Sequence, residues 1–397
     1  MKILVQKFGG TSVSTEKNRK LVVKKVKNAI SEGYSPVVVV SAMGRKGDNY
    51  ATDTLLQLVS DDFKKSNLLA TDVLLGCGEI ISTVVMCNEL YKEEIDSIPL
   101  TGGLAGIKTD SNYGSASILD VETNRILDLI KDGKVPVVAG FQGVENNGFL
   151  TTFGRGGSDV TGAILGAALK AEEVHIYTDV DGIMTADPRI VSDAMLIKQI
   201  GYEEVFQFAD QGAKVIHPLA VEISKKYNIP LVIKNTLNDC IGTIISNDTC
   251  GESNKIITGI THVKGRVQIT ANYNGTDEYV NLLDILAQNN ISIDLISVFP
   301  KQKIFTIADN DLEKFKDIVS KLNLSYSYIE NCSKIAIIGT KMKGVPGVMA
   351  RILKALTKQN IEVLQTADSH MTIWCLVEEK DTDIAINVLH GEFNLAH

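Results

Sequence analysis

Two glycine-rich turns, each delivering the chain into a helix, restrict what this sequence can fold into more than any other feature. The first is Lys7–Phe8–Gly9–Gly10–Thr11–Ser12. It follows the apolar run Ile3–Leu4–Val5–Gln6, which reads as a strand, and precedes Leu21, Val22, Val26, Ala29 and Ile30 at helical spacing. The second is Thr151–Thr152–Phe153–Gly154–Arg155–Gly156–Gly157–Ser158–Asp159, whose last six residues join three glycines to a guanidinium, a hydroxyl and a carboxylate. Residues 160–169 after it read as a tightly packed helix that Ser158 or Asp159 is expected to cap. A glycine turn at a helix N-terminus presents free N–H groups and the positive end of a dipole, which favours an anion. Arg155 adds a planar fork suited to a carboxylate or a phosphate. Taken alone, such a turn equally fits a solvated arginine; two of them in one chain favour a ligand. Neither is a Walker A loop, and neither is a dinucleotide fingerprint, because Asp159 stands where the third glycine would fall.

Around these turns, strands and helices alternate. Pro36–Val37–Val38–Val39–Val40 is a β-branched run that delivers Ser41 to its C-terminal edge, as expected of a parallel strand buried on both faces. Arg45–Tyr50 reads as a loop, with Thr52 and Asp53 opening the next helix as cap and first-turn acid. Leu68–Tyr91 reads as a long helical stretch interrupted by Gly76–Cys77–Gly78–Glu79. Glu79 is thus a carboxylate in an apolar segment, beside glycines that let a ligand approach closely. Short strands are expected at Ile98–Thr101, Ile118–Val121 and Val135–Gly140, a helix at Glu122–Lys131, and a hairpin turn at Glu145–Gly148. Val174–Asp179 is a strand ending in a hydroxyl and an acid, and Pro230–Lys234 a last strand. The alternation predicts an α/β domain with a mostly parallel sheet over residues 1–245, with ligand-binding groups at its strand ends.

From Asn235 to Lys255 the chain turns polar, and a domain boundary is placed there. An internal repeat follows, with copies at 256–331 and 332–397. The first reads as strand Val263–Ala271, helix Tyr279–Asn289, strands Ile291–Val298 and Ile304–Ala308, helix Leu312–Leu322 and strand Ser325–Glu330. The second reads as strand Lys334–Gly339, helix Val348–Gln359, strands Ile361–Thr366 and Met371–Val377, and helix Thr382–Leu389. Units of about seventy residues are marginal alone, so they are expected to pack together or across a dimer.

Composition narrows the function classes. A formal charge of −8 argues against a nucleic-acid binder. No early segment resembles a signal peptide, and no apolar run is read as long enough to span a membrane, so a cytoplasmic protein is expected. The six cysteines form no Cys-x-x-Cys pair and the six histidines show no ligand spacing; reduced thiols and no resident metal are expected.

Together the motifs resemble those of the aspartate kinases. They are Lys7–Phe8–Gly9–Gly10–Thr11–Ser12, Ser41–Ala42–Met43–Gly44, Gly78–Glu79, Gly154–Arg155–Gly156–Gly157–Ser158–Asp159, Thr178–Asp179–Val180–Asp181–Gly182, Asp187–Pro188–Arg189 and Gly212–Ala213–Lys214, followed by repeats of ACT type. The resemblance runs over essentially the whole chain. It implies an amino-acid-kinase three-layer domain followed by two βαββαβ, ferredoxin-like repeats, as in the monofunctional enzymes without a fused homoserine dehydrogenase. It also implies phosphoryl transfer from ATP, with Mg²⁺, to the side-chain carboxylate of L-aspartate, the first step toward diaminopimelate and lysine, threonine and methionine.

By that resemblance, Lys7 with the Gly9 and Gly10 amides neutralises the moving phosphoryl group, and Asp159 orients Lys7 or a second lysine. Arg155 takes a substrate carboxylate and Glu79 its ammonium, with hydroxyl contacts from Thr52 and Ser158. Phe8, Ser41, Thr178, Asp179, Arg189 and Lys214 match nucleotide positions. Met184 stands where relatives often carry a tyrosine near the adenine. In the first repeat, Asn274–Gly275–Thr276–Asp277 replaces the usual Asp-x-Pro-Gly turn, whereas Val345–Pro346–Gly347 is kept in the second. Asn274, Gly275, Tyr279 and Asp294 are the candidate effector residues, at an interface between subunits of a homodimer or larger homo-oligomer. Asp294 is the remaining acid for an effector's cation.

Two other readings compete. One is another amino-acid kinase, acting on glutamate or its N-acetyl derivative; an acylated amine would leave Glu79 without an ammonium. The other is a non-catalytic amino-acid sensor, against which Lys7, Asp159 and Lys214 all argue.

Overall fold

The computed structural model describes all residues except 155, 213–214, 248–255, 273–276, 323, 341, 343–344 and 397, with 277–281 described by backbone alone. The chain divides into two compact units. The first gathers Met1–Ile183, Leu196–Ala209 and Lys214–Glu252, and the second Met184–Met195, Asp210–Ala213 and Ser253–His397.

The first unit is built on an eight-stranded sheet in the order Gln199–Ile200, Thr243–Ile245, Leu231–Asn235, Glu173–Thr178, Lys2–Phe8, Tyr34–Val40, Val135–Ala139, Ser97–Leu100. The six strands from Leu231–Asn235 to Ser97–Leu100 are all parallel. β-Branched runs suit them because both faces are covered: Val5, Val37, Val38, Val39, Val40, Val137 and Val138 are all 0% exposed. Parallel neighbours need crossovers, supplied among others by helices Glu16–Ser31, Leu68–Tyr91 and Gly157–Leu169. Thr15 caps the first of these, its hydroxyl accepting from Asn18 N–H at 3.2 Å. The third lies close against the sheet, where a Cβ at Gly166 would meet Val174 Cγ2 at 2.3 Å. Lys2–Phe8 lies between Tyr34–Val40, which follows it directly in the chain, and Glu173–Thr178, from which the chain continues the other way. The sheet therefore changes winding direction beside its first strand, the position where open α/β sheets leave a crevice at their C-terminal edge.

Leu68–Tyr91 is one continuous helix of 24 residues, without the expected interruption. Its glycines are there for contact rather than for a break. A Cβ at Gly76 would fall 2.7 Å from Leu150 Cδ1, and one at Gly78 would fall 2.9 Å from the Ala42 Cβ. Tertiary packing overrides the modest helix penalty of glycine. Contrary to expectation, this helix is long and apolar enough to cross a membrane by length and composition. Here it buries Asp72 and Glu79 and packs on strands Ser97–Leu100, Val135–Ala139 and Leu150–Thr152. The last belongs to a small second sheet in the order Ile118–Val121, Ile107–Thr109, Gln142–Val144, Leu150–Thr152. The expected hairpin forms, Gln142–Val144 pairing antiparallel with Leu150–Thr152. The helix expected from Glu122 begins at Asn124. Thr52 is the first residue of helix Thr52–Leu55 rather than its cap, which is Ala51.

The second unit holds a six-stranded antiparallel sheet in the order Asp294–Phe299, Gln302–Ala308, Gly259–Asn272, Ser325–Ile338, Thr372–Glu378, Gln365–Asp368. The two strands expected at Ser325–Glu330 and Lys334–Gly339 are one strand of 14 residues. Its partner Gly259–Asn272 is equally long, and the pairing shifts register between Val263 and Gln268. The shift divides the ladder between the two copies. Arg266–Asn272 pairs with Gln302–Ala308 and with the first half of Ser325–Ile338, completing the first copy. Gly259–Val263, read from the sequence as part of the first copy, pairs instead with Lys334–Ile338. It thus supplies the fourth strand that the second copy lacks after helix Thr382–Glu392. Each copy has its own core, Phe305, Phe315, Leu282 and Leu286 in the first, Ile337, Ile352, Leu356 and Leu389 in the second. Ala186 and Val191, from one of the excursions out of the first unit, are built into the second core.

Ile260 is 1% exposed and belongs to the second copy's core although it precedes the first copy in sequence. Ile260→Ala should cost about 2–5 kcal/mol. Hydrogen exchange should accelerate in Val348–Thr357 and Thr382–Glu392 while Leu312–Ser320 stays protected; faster exchange in the first copy alone would contradict the pairing.

Candidate active site

Lys7 leaves the C-terminal end of the first strand with its side chain 11% exposed, and its ammonium lies 2.6 Å from Asp159 Oδ1. Asp159 sits in the first turn of Gly157–Leu169, and its Oδ2 accepts the His217 N–H at 3.2 Å. Neither Ser158 nor Asp159 caps this helix. The cap position is Gly156 in a left-handed conformation, φ 77°, with no side-chain bond. The tight approach of His217, which would lie 2.2 Å from a Cβ there, leaves room for glycine only. Freed from capping, the Asp159 carboxylate turns toward Lys7. Two nearly buried opposite charges are retained because each lowers the other's cost of leaving water.

The first glycine turn is wedged between the ends of neighbouring strands. Gly9 N–H donates to Tyr177 O at 3.1 Å, Ser41 N–H to Phe8 O at 3.1 Å, and Gly44 N–H to Gly10 O at 2.9 Å. A Cβ on Gly10 would fall 2.7 Å from the carbonyl oxygens of both Ala42 and Gly44. Ser12 and Thr236 share a hydroxyl bond of 2.6 Å below it. Phe8 is fully buried and stacks on Tyr177 at 4.6 Å between ring centroids. The Phe8 ring therefore belongs to the core, and it is the backbone of this residue that meets the turn.

Glu79 reaches this region from the long helix. It is 3% exposed, and its Oε1 accepts the Ala42 N–H at 3.1 Å. Its Oε2 has no hydrogen-bond partner among the described residues. Burial pushes its pKa up from 4.5 to about 7, against the lowering effect of the Ala42 N–H. A buried carboxylate with one unengaged oxygen is suited to a cationic ligand. Ser158, also buried, lies against Gly140 at the end of strand Val135–Ala139. At the end of Glu173–Thr178, the Thr178 hydroxyl donates to Asp179 Oδ1 at 3.2 Å, and Asp179 is ion-paired with Arg45. Asp181 accepts from the Asn235 and Asn238 amides at 2.7 and 2.8 Å, which hold its carboxyl below the usual range.

Lys7, Gly9, Gly10, Ser41, Glu79, Ser158, Asp159, Thr178 and Asp179 therefore all lie at the C-terminal edge of the parallel sheet or on the helices flanking it. Half-buried Thr52 opens its short helix on the loop after Ser41. Met184 and Arg189 fall in the second unit, where Arg189 is 88% exposed and bonded to Asp187 at 2.6 Å. Arg155, Lys214, Asn274 and Gly275 lie outside the described residues, and Tyr279 is described by its backbone alone, in helix Asp277–Gln288. Asp294, expected to await a cation from an effector, is already ion-paired with the buried Lys334. Among the described residues no cluster of His, Cys, Asp and Glu could hold a metal ion.

Sequence reasoning missed Arg45, placed in a loop without a role, and Asp72. The signal for Asp72 was present: an acid in an apolar stretch, about two helical turns before Glu79 and on the same face.

Residues 2–235 match the amino acid kinase family and residues 327–391 an ACT domain. Aspartokinase 1 of Bacillus subtilis (strain 168) is 42% identical over 403 residues, spanning 100% of both chains. The crystal structure of Clostridium acetobutylicum aspartate kinase matches with a TM-score of 0.80 at 26% identity, over 99% of this chain and 100% of that one. E. coli aspartokinase III in complex with lysine and aspartate matches with a TM-score of 0.77 at 25% identity, over the same shares.

The raised pKa of Glu79 has a stability consequence. Between about pH 4.5 and 7 the folded chain holds a proton that the unfolded chain has released, so this group's contribution falls as pH rises and is fully unfavourable above about 7. Glu79→Gln removes that burden. Without ligands, the variant should melt higher than the parent at pH 8, by a gap that closes toward pH 5. A gap independent of pH would show that Glu79 is ionised in the free protein.

Proposed function

This chain belongs to the amino acid kinase family and, within it, to the aspartokinases, ATP-dependent kinases acting on aspartate; from that premise we propose how its own residues carry out the transfer. An oxygen of the aspartate side-chain carboxylate attacks the γ-phosphorus of ATP as the bond to the β–γ bridging oxygen breaks. The products are 4-phospho-L-aspartate and ADP. The attacking carboxylate is ionised at neutral pH, so no general base is required. What the reaction needs is positive potential where charge accumulates on the phosphoryl oxygens.

The observation that carries this reading is the Lys7–Asp159 pair beside the Gly9–Gly10 turn, 2.6 Å between ammonium and carboxylate. Asp159 aims the lysine, and the Gly9 and Gly10 backbone narrows the approach to it. Lys214, Ser41, Thr178 and Asp179 serve the nucleotide. Mg²⁺ enters with the nucleotide as part of the substrate, its ligands mainly phosphate oxygens and water. Arg155 forks the α-carboxylate of aspartate, Glu79 receives its ammonium through the unengaged Oε2, and Thr52 and Ser158 supply hydroxyl contacts. A kinase of N-acetylated substrates would have no use for a carboxylate so placed.

The ACT repeats bind an amino-acid effector in a cytoplasmic homodimer, and the enzyme opens the routes to diaminopimelate and lysine, threonine and methionine. With neutral Asn274 in the first-repeat turn and Asp294 engaged by Lys334, the effector chemistry differs from a simple lysine site. Loss of one charge-assisted bond costs about 1.5–3 kcal/mol, roughly ten- to a hundredfold in affinity. Inhibition should be tested with lysine, threonine, methionine and meso-diaminopimelate, singly and in pairs; strong inhibition by lysine alone would overturn this part.

Lys7→Met should lower kcat by about a hundredfold or more while aspartate KM stays within a few-fold, because the lost interaction strengthens as charge moves. A near-normal kcat in the folded variant would remove Lys7 from the mechanism. Arg155→Lys should weaken aspartate far more than ATP, since lysine cannot reproduce the planar fork. The parent should use N-acetyl-aspartate poorly in an assay of ADP release; efficient turnover of it would revive the rival assignment.

A further inference from the structure

Strands Glu173–Thr178, Lys2–Phe8 and Tyr34–Val40 lie side by side and end level, with Phe8 opposite both Tyr177 and Val40. The first glycine turn leaves the middle strand and is bonded to what leaves the other two: Gly9 N–H donates to Tyr177 O, and Gly10 O accepts the Gly44 N–H. Asp179 stands two residues beyond Tyr177, Arg45 directly follows Gly44, and the two side chains form an ion pair. That pair therefore connects the two segments that flank the Gly9–Gly10 turn. The backbone and the side chain of Arg45 are held very differently. Its N–H donates to Asp48 Oδ2 at 2.8 Å, and its carbonyl accepts the Asp48 N–H at 2.9 Å. Gly47 N–H is fixed by the Thr54 hydroxyl at 3.1 Å, and Gly44 sits at φ 90°, where a side chain would be strained. The guanidinium, by contrast, belongs to a side chain 70% exposed, and the Asp179 side chain is itself 44% exposed. Exposed pairs of this kind contribute little, so a stronger anion displaces one partner readily.

We propose that Arg45 is a further phosphate-binding residue: when the nucleotide enters, its guanidinium leaves Asp179 and forks the polyphosphate chain at the Gly9–Gly10 turn. The proposal rests on the reading that this turn and Lys7 receive the phosphates. The Lys7 ammonium is already matched by the Asp159 carboxylate, so a polyphosphate calls for further cations, and Arg45 is placed to supply one. A planar fork making two parallel N–H···O bonds suits phosphate oxygens better than a single exposed carboxylate oxygen. Asp179 parks the guanidinium beside the turn in the free enzyme, which reduces the cost of ordering a long side chain on binding. After the exchange the Asp179 carboxylate keeps the Thr178 hydroxyl, which donates to its Oδ1. Only the side chain moves, because Asp48, Thr54 and Gly10 hold the backbone around it.

The test titrates the purified full-length enzyme with ADP, inorganic tripolyphosphate and adenosine by calorimetry, with Mg²⁺ and without aspartate. Arg45→Ala should weaken ADP and tripolyphosphate by about ten- to a hundredfold and leave adenosine within about twofold. In the turnover assay ATP KM should rise in step while aspartate KM stays within about twofold. Arg45→Lys keeps the charge without the fork and should recover part of the loss. The deciding comparison repeats Arg45→Ala in an Asp179→Asn background, where tripolyphosphate should again weaken by about tenfold or more. A loss that vanishes there would show that Arg45 only neutralises Asp179, and would overturn the proposal. Adenosine weakening together with tripolyphosphate would overturn it as well, marking Arg45 as merely structural. If Lys7→Met weakens ADP and Arg45→Ala does not, the reading of the turn stands and Arg45 is rejected. A parent that binds ADP no more tightly than adenosine rejects both.

Discussion

Most of the catalytic unit's design follows from placing one ammonium where water scarcely reaches. Lys7 and Asp159 are 11% and 13% exposed, yet the pair stands at the end of a strand whose Ile3, Leu4, Val5 and Phe8 belong to the core. Such a pair is stable only if each charge finds the other at short range and the remaining lone pairs find donors. The parallel sheet brings the lysine to its C-terminal edge, and a glycine cap in a left-handed conformation frees the aspartate from its usual capping duty. His217 N–H takes the second carboxylate oxygen. Two of the glycines in these turns are explained by what crowds them, carbonyls at Gly10 and an imidazole at Gly156.

The parts of this arrangement written in local residue chemistry were legible in the sequence. β-Branched runs such as Val37–Val40 announce buried parallel strands because few other environments accept them. The two turns stood out by their glycines and charged residues, and the structure brings Lys7 and Asp159 together as the family resemblance implied. What was not legible depended on packing. Gly76 and Gly78 look like a break in a helix, and only Leu150 and Ala42 show why the helix continues through them. Ser158 and Asp159 look like caps, and only Lys7 shows why Asp159 is not one. Phe8 belongs to a nucleotide-like motif, yet its ring is core, stacked on Tyr177. Asp72 carries no motif at all, and its three donors come from residues 42 and 80 positions away.

The long helix gathers several of these effects. It is long and apolar enough to cross a membrane, yet it buries three acids, Asp72, Glu79 and Glu89. Burying Asp72 and Glu79 has opposite outcomes. Asp72 is saturated by donors, whereas Glu79 keeps an oxygen without a partner among the described residues and a pKa raised to about 7. The first is engaged by three donors and the second keeps an open acceptor. Environment, and not residue type, separates the two roles.

The strand Gly259–Asn272, shared between the two copies, makes the order of synthesis matter. Its first half leaves the ribosome before the whole of the first copy, but its partner Lys334–Ile338 emerges only after that copy is finished. At translation speeds of about 5–20 residues per second, the half-strand waits several seconds with an open edge. The second copy cannot close until its neighbour has been threaded between its own pieces. The two copies are therefore not interchangeable beads on a string: a recombination event or gene fusion that cuts between residues 263 and 334 separates a domain from its own strand. A block cut to hold one copy alone would leave out a strand of the second, so the pair behaves as one module.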